Sequence, residues 1–257
     1  MYQQYLFSTD MKYFFFLLLF TTQFLLAQGA FERANKLYKE GKYQNAIEVY
    51  QSIANAKKHS ADLYFNLGNC YYKLNDVAPA IYNFEKALLL NPNDADIQNN
   101  LRFAQKLQID DIKEIPKVGF RNMLQDFTAK YHYDTWAWIS VAFAGFFLLL
   151  FIGFFYAVNS LVKRMFFTAM LLVLLLIFLS VASAIFEKSN YVSNRPAIVF
   201  AEISAVKTEP KSSAPDSFML HEGSKVFIVE TLDNWKKIEL TDGKKGWIPA
   251  SNIKEIK

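Results

Sequence analysis

Apolar residues along this chain change their spacing several times, and each change predicts a different kind of element. From Ala30 to Leu107 they recur every three or four positions, the spacing of helices that bury one face. From Thr135 to Val162 there are 28 consecutive residues without a charge, and from Met165 to Phe186 another 22. Both runs exceed the roughly 20 residues that a helix needs to cross a bilayer. After Phe186 the pattern shortens to alternating runs. Lys225–Glu230, Trp235–Leu240 and Gly246–Pro249 read as strands, with Asp233-Asn234 and Asp242-Gly243 as turns.

The helical part repeats itself. A shift of 34 residues places Ala34 on Gly68, Leu37 on Tyr71, Tyr38 on Tyr72, Lys39 on Lys73, Gly41 on Asn75, Ala46 on Ala80, Ile47 on Ile81 and Tyr50 on Phe84. Small residues at 34/68 and 46/80 let helices approach, while Tyr50, Phe84 and Leu67 fill the space between them. Gly41 and Asn75 fall where a left-handed turn is needed. This period and these positions resemble the tetratricopeptide repeat, with Pro92 at its breaker position. Asn93-Asp94 then starts a further helix, about Ala95 to Leu107, that would cap the second unit. The expectation for residues 28–115 is an all-α tetratricopeptide superhelix of two units plus a cap. In that family the first helix of each unit lines the concave face. The resemblance therefore implies Phe31, Asn35, Tyr38, Lys39, Phe65, Asn69, Tyr72 and Lys73 as partner-binding residues, suited to an extended peptide or a partner helix. The same residues are equally compatible with packing their neighbours or facing water. Phe31 and Asp96 stand where the carboxylate-clamp subfamily has lysines, which argues against capture of a C-terminal carboxylate.

The uncharged runs predict a two-helix transmembrane hairpin, with spans at 135–158 and 165–186 and a loop at 159–164 that carries Lys163 and Arg164. Trp136, Trp138 and Tyr156 suit the interfaces, and the basic loop favours the cytoplasm. Neither run holds an ionisable residue, so the helices read as anchors and not as a conduction path. Ser140/Ala144 and Ser180/Ala184 have the spacing that lets membrane helices pack closely. Near the start, Lys12 precedes the apolar run Tyr13–Leu26 and the small residue Ala27. That order reads as a signal peptide over 1–27, cut after Ala27, with Met11 as the true start. Export of the N-terminal part and two spans would place both soluble parts outside the cytoplasm. Residues 116–134 read as a linker or as an amphipathic helix on the membrane surface.

Residues 187–257 predict a small all-β unit. The Leu220-x-x-Gly223-x-x-Val226 and Gly246-Trp-Ile-Pro249 elements resemble the bacterial SH3 (SH3b) family, which implies a compact barrel. By that resemblance Trp235 and Pro249 would lie in a partner-binding groove. Asn252 stands where the family has a tyrosine, so a docking or structural role is favoured over recognition of proline-rich or cell-wall peptides. Trp247 reads as core.

Composition narrows the chemistry. The formal net charge is +4, and its excess flanks the apolar segments instead of forming a patch, which speaks against nucleic-acid binding. Cys70, the single cysteine, falls at a helix-packing position and reads as an inert thiol. His59, His132 and His221 show no metal spacing, and no nucleophile elbow or phosphate loop is present. The chain is thus expected to be no enzyme, to use no cofactor and to bind no small-molecule substrate.

Export signal, repeats, membrane hairpin and SH3b-like unit occur in the order of the BatE family, the tetratricopeptide proteins of Bacteroides aerotolerance (Bat) operons, which the chain resembles along nearly its whole length. The resemblance implies an inner-membrane scaffold that works with von Willebrand-type Bat proteins, a BatD-type protein and a MoxR-type ATPase in aerotolerance or envelope stress. Alternative classes are an envelope regulator that binds peptidoglycan through the barrel and a cytochrome-maturation accessory protein, whose repeats would be expected after the spans.

Overall fold

The computed structural model describes residues 29–112 and 119–257. The predicted export segment and residues 113–118 lie outside them. Helix α1 covers 29–39. It is followed by α2 (Tyr43–Asn55), α3 (Ala61–Lys73), α4 (Val77–Leu90) and α5 (Ala95–Gln105). The α1–α2 and α3–α4 turns each pass through a left-handed residue, Gly41 at φ +76° and Asn75 at φ +60°. Glycine and asparagine adopt that conformation most readily, which is why they stand there.

Ala34, Ala46 and Ala80 are no more than 1% exposed. A Cβ on Gly68 would lie 2.6 Å from the Phe84 ring, so the missing side chain sets the α3–α4 distance. Tyr50 and Phe84 fill the space so created and are fully buried, each worth about 2–3 kcal/mol of apolar burial. Helix α5 does more than cap. The Asp94 carboxylate accepts from the Asp96 and Ile97 N–H groups, as the Ser60 hydroxyl accepts from Leu63 N–H at the start of α3. The two N-caps are one repeat apart, and α5 therefore sits as the first helix of a third unit.

Helix α6 (Phe120–Thr128) leads into α7 (Tyr133–Tyr156) and α8 (Ser160–Ser193). The last two are long and apolar enough to cross a membrane. The Ser140 and Ser180 hydroxyls hydrogen-bond at 2.9 Å, and a Cβ on Gly153 would meet the Phe166 ring at 2.7 Å. These two close approaches join α7 and α8 as an antiparallel hairpin. Asn159 caps α8 through its side-chain oxygen, so Lys163 and Arg164 belong to the first turns of the helix. At 34 residues, α8 is about 50 Å long. It exceeds an apolar core of about 30 Å, and its last turns reach the soluble part.

Seven strands follow: β1 (Pro196–Val199), β2 (Ile203–Lys207), β3 (Asp216–His221), β4 (Lys225–Leu232), β5 (Trp235–Glu239), β6 (Lys245–Pro249) and β7 (Ile253–Glu255). They form one antiparallel sheet in the order β3-β2-β6-β5-β4-β1-β7. The outer strands β3 and β7 do not pair, so the sheet is open where a closed barrel was expected. The reason is that β1 uses both edges, for β4 and for β7, and leaves β7 at the margin.

The sheet is docked on the repeats. All four residues of β1 are buried. Because side chains alternate, Ala197 and Val199 enter the sheet core while Ile198, with Ile256, joins the core of the repeats. Glu85 of α4 receives the Lys225 ammonium on both carboxylate oxygens at 2.7 Å. Asp110, beyond α5, accepts from His221 N–H at 2.7 Å and from the Ser224 hydroxyl at 2.5 Å, with the His221 ring at 2.8 Å. Burial would raise the Asp110 carboxyl, but these bonds outweigh it and hold it below the usual carboxylate range.

A carboxyl depressed in the folded state contributes stability that is complete above its unfolded value, about pH 4, and lost as pH falls through the folded value. Hydrogen-exchange protection of α4 and β1, measured against the intrinsic rate at each pH, should therefore be full near neutrality and fall below about pH 4. Unchanged protection under strong acid would contradict this role of Asp110.

Candidate functional site

The first helices α1, α3 and α5 carry the inner face of the repeat. Asn35 on α1 and Asn69 on α3 are one repeat apart, as are Asn66 on α3 and Asn100 on α5. The structure joins them in two equivalent pairs. Asn66 Nδ2 donates to Asn35 Oδ1 at 3.1 Å, and Asn100 Nδ2 donates to Asn69 Oδ1 at 2.8 Å. The Tyr50 hydroxyl also donates to Asn35 Oδ1, at 2.5 Å. Burial raises the pKa of that phenol, which keeps it protonated as a donor.

Around this amide ladder stand half-buried rings. Phe31 packs edge-on against Tyr50 at 5.7 Å, Tyr38 lies 5.4 Å from Tyr43, and Phe65 lies 6.0 Å from Phe84. Tyr72 is half-buried, and Lys39 and Lys73 are exposed. The structure thus brings Asn35, Phe31, Phe65 and Asn69 into packed or hydrogen-bonded positions with partners of their own, while the two lysines stay free to meet solvent. Sequence reasoning missed Asn66 and Asn100. The signal was present, because both recur at the 34-residue shift.

Trp235 and Pro249 are register partners across β5 and β6, both half-buried. Trp247, on β6, is 8% exposed and carries the Lys237 ammonium over its ring at 5.6 Å. Cys70 is buried, and burial pushes its thiol up to about 12, far from a thiolate at neutral pH. Among the described residues, no three His, Cys, Asp or Glu side chains converge as metal ligands.

The tetratricopeptide repeat family matches residues 61–94, which cover α3, α4 and the turn into α5. A tetratricopeptide repeat is present. Such repeats serve protein–protein interaction, and α1–α2 and α5 extend its geometry on either side. Comparison with curated proteins gives no match.

Proposed function

We propose that the chain is a non-catalytic adaptor of the BatE type, held in a bacterial inner membrane by the α7–α8 hairpin. Its repeats and its SH3-like sheet both face the periplasm, and partners of the kind found in Bat operons (von Willebrand-type, BatD-type and MoxR-type) assemble on it. Three features support the membrane arrangement. The hairpin returns the chain to the end where it began, Lys163 and Arg164 sit at the other end, and basic residues prefer the cytoplasmic side. The observation that carries the binding role is the amide ladder of Asn35, Asn66, Asn69 and Asn100 flanked by Phe31, Phe65 and Tyr72. An amide has both donors and acceptors, so each pair keeps hydrogen-bonding capacity for an extended main chain, and the rings supply apolar contact.

A photocrosslinking residue at Tyr72, in the full chain in its own membrane, should give a discrete adduct. Adding Asn35→Ala and Asn69→Ala should remove it, and the same crosslinker at exposed Ser213 should not form it. An adduct indifferent to both asparagines would contradict the inner face as the binding surface.

A further inference from the structure

The face of the repeats away from the amide ladder holds a second feature, which arises only because the sheet is docked. There α2, α3 and α4 meet Phe200, just after β1, and Lys254 of β7 around a cavity of about 540 Å³, the size of a ligand pocket. Its walls include Tyr64, Tyr82 and Phe200, the last two in edge-on contact at 5.6 Å. Lys86 Nζ stands 4.7 Å from the Tyr64 ring centre and 3.4 Å from the Tyr82 hydroxyl. Lys254 Nζ stands 4.6 Å from the Tyr82 ring centre, and Lys86 Nζ 5.3 Å from it.

No Asp or Glu lines this cavity, and among the described residues neither lysine has a carboxylate partner. That is out of keeping with the rest of the sheet. Lys207, Lys211, Lys225, Lys236, Lys237, Lys244 and Lys245 each lie against an Asp or Glu. Burial and the nearby Lys254 charge pull the Lys86 pKa down, so the Lys86 ammonium is held at a cost that a bound anion would relieve.

We propose that this interdomain cavity binds an acidic peptide segment, with an Asp or Glu carboxylate between Lys86 and Lys254 and its neighbours against Tyr64, Tyr82 and Phe200. Charge complementarity selects the anion. The aromatic walls favour a carboxylate carried on a chain with apolar stems over a bare, fully hydrated ion. The site is separate from the inner face and stands or falls without it. Because both domains build it, occupancy also fastens the sheet to the repeats.

The test uses the full chain in detergent micelles with three probes: a labelled hexaglutamate peptide, the matching hexaglutamine peptide, and inorganic phosphate. Hexaglutamate should bind and hexaglutamine should not, and phosphate should compete only weakly. Lys86→Gln with Lys254→Gln should weaken hexaglutamate binding by about tenfold or more. Lys86→Arg, which keeps the charge, should retain binding. Lys254 is exposed, so Lys254→Gln alone leaves the fold intact and should still weaken binding severalfold. Equal affinity for wild type and the Lys254→Gln chain would overturn the proposal, as would tighter binding of phosphate than of the peptide.

Discussion

Ala80→Asp is expected to unfold the helical repeats, seen as loss of hydrogen-exchange protection throughout α3 and α4 in the full chain. Ala80 is 1% exposed and occupies the same repeat position as Ala46, which is fully buried. A carboxylate there is either buried without a partner or forces the helices apart. An unpaired buried charge costs several kcal/mol, against a total domain stability of about 5–15 kcal/mol. Helix α4 also carries Glu85, which anchors Lys225, so the damage should extend to the docked sheet. Asn69→Ala is the control. It loses the bond from Asn100, worth about 1 kcal/mol, and should stay folded. Native protection in Ala80→Asp would mean that the 34-residue register is misplaced, and every inner-face residue with it.

The second large effect is expected at the joint between sheet and repeats. Gly223 has φ +86°, and a Cβ there would lie 3.0 Å from Val77, 3.1 Å from Ile81 and 3.2 Å from Gln108. Gly223→Val therefore combines a left-handed backbone that a β-branched residue resists, about 1–3 kcal/mol, with overpacking of similar size. The simplest relief is separation. The sheet would leave α4, the Gln108 side chain would lose the Gly223 carbonyl, and Asp110 would lose His221 and Ser224. Spin labels at exposed Lys36 and Ser213 should report one narrow distance in the parent chain and a broad distribution in the variant, with the repeats still helical. A narrow, unchanged distance would contradict a close-packed joint at Gly223.

Much of this architecture was legible because it rests on local periodicity. The 34-residue shift located both left-handed turns, at Gly41 and Asn75, and the small residues that set helix spacing. Ser140 and Ser180, singled out by their spacing, do meet between α7 and α8. Uncharged runs located the hairpin, and helix α8 runs on past the uncharged stretch that ends at Phe186. Glu187 to Ser193 look like a polar exit, yet α8 continues through them because Thr128 of α6 holds Glu187 and Lys257 holds the Tyr191 and Asn194 carbonyls. The apolar spacing of Ile97, Leu101, Ala104 and Leu107 accounts for α5 as a cap on the second unit. Its N-cap and Asn100 place it as the start of another unit.

The docking of the sheet was not legible, for a physical reason. Each residue of the joint has an ordinary local explanation. Glu85 reads as helix surface, Asp110 as linker and Gly223 as a turn, and only the tertiary fold shows that they converge. One clue was available. Ala197-Ile-Val-Phe200 is an unbroken apolar run where a strand with one wet face would alternate, and it signals burial on both faces. The expectation of a closed barrel rests on short alternating strands and motif resemblance, neither of which says which edges pair. Strand pairing shows β3 and β7 as free margins.

The topology proposed above places repeats and sheet together on the outer side of a membrane, with Lys163 and Arg164 at the start of α8 on the inner side. Labelling of single cysteines by a membrane-impermeant maleimide tests this directly, with Cys70→Ala as background, at Ser213→Cys in the sheet and Leu161→Cys at the start of α8. In intact spheroplasts the account predicts strong labelling at 213 and none at 161 until the membrane is opened. Labelling at 161 with protection at 213 would contradict it.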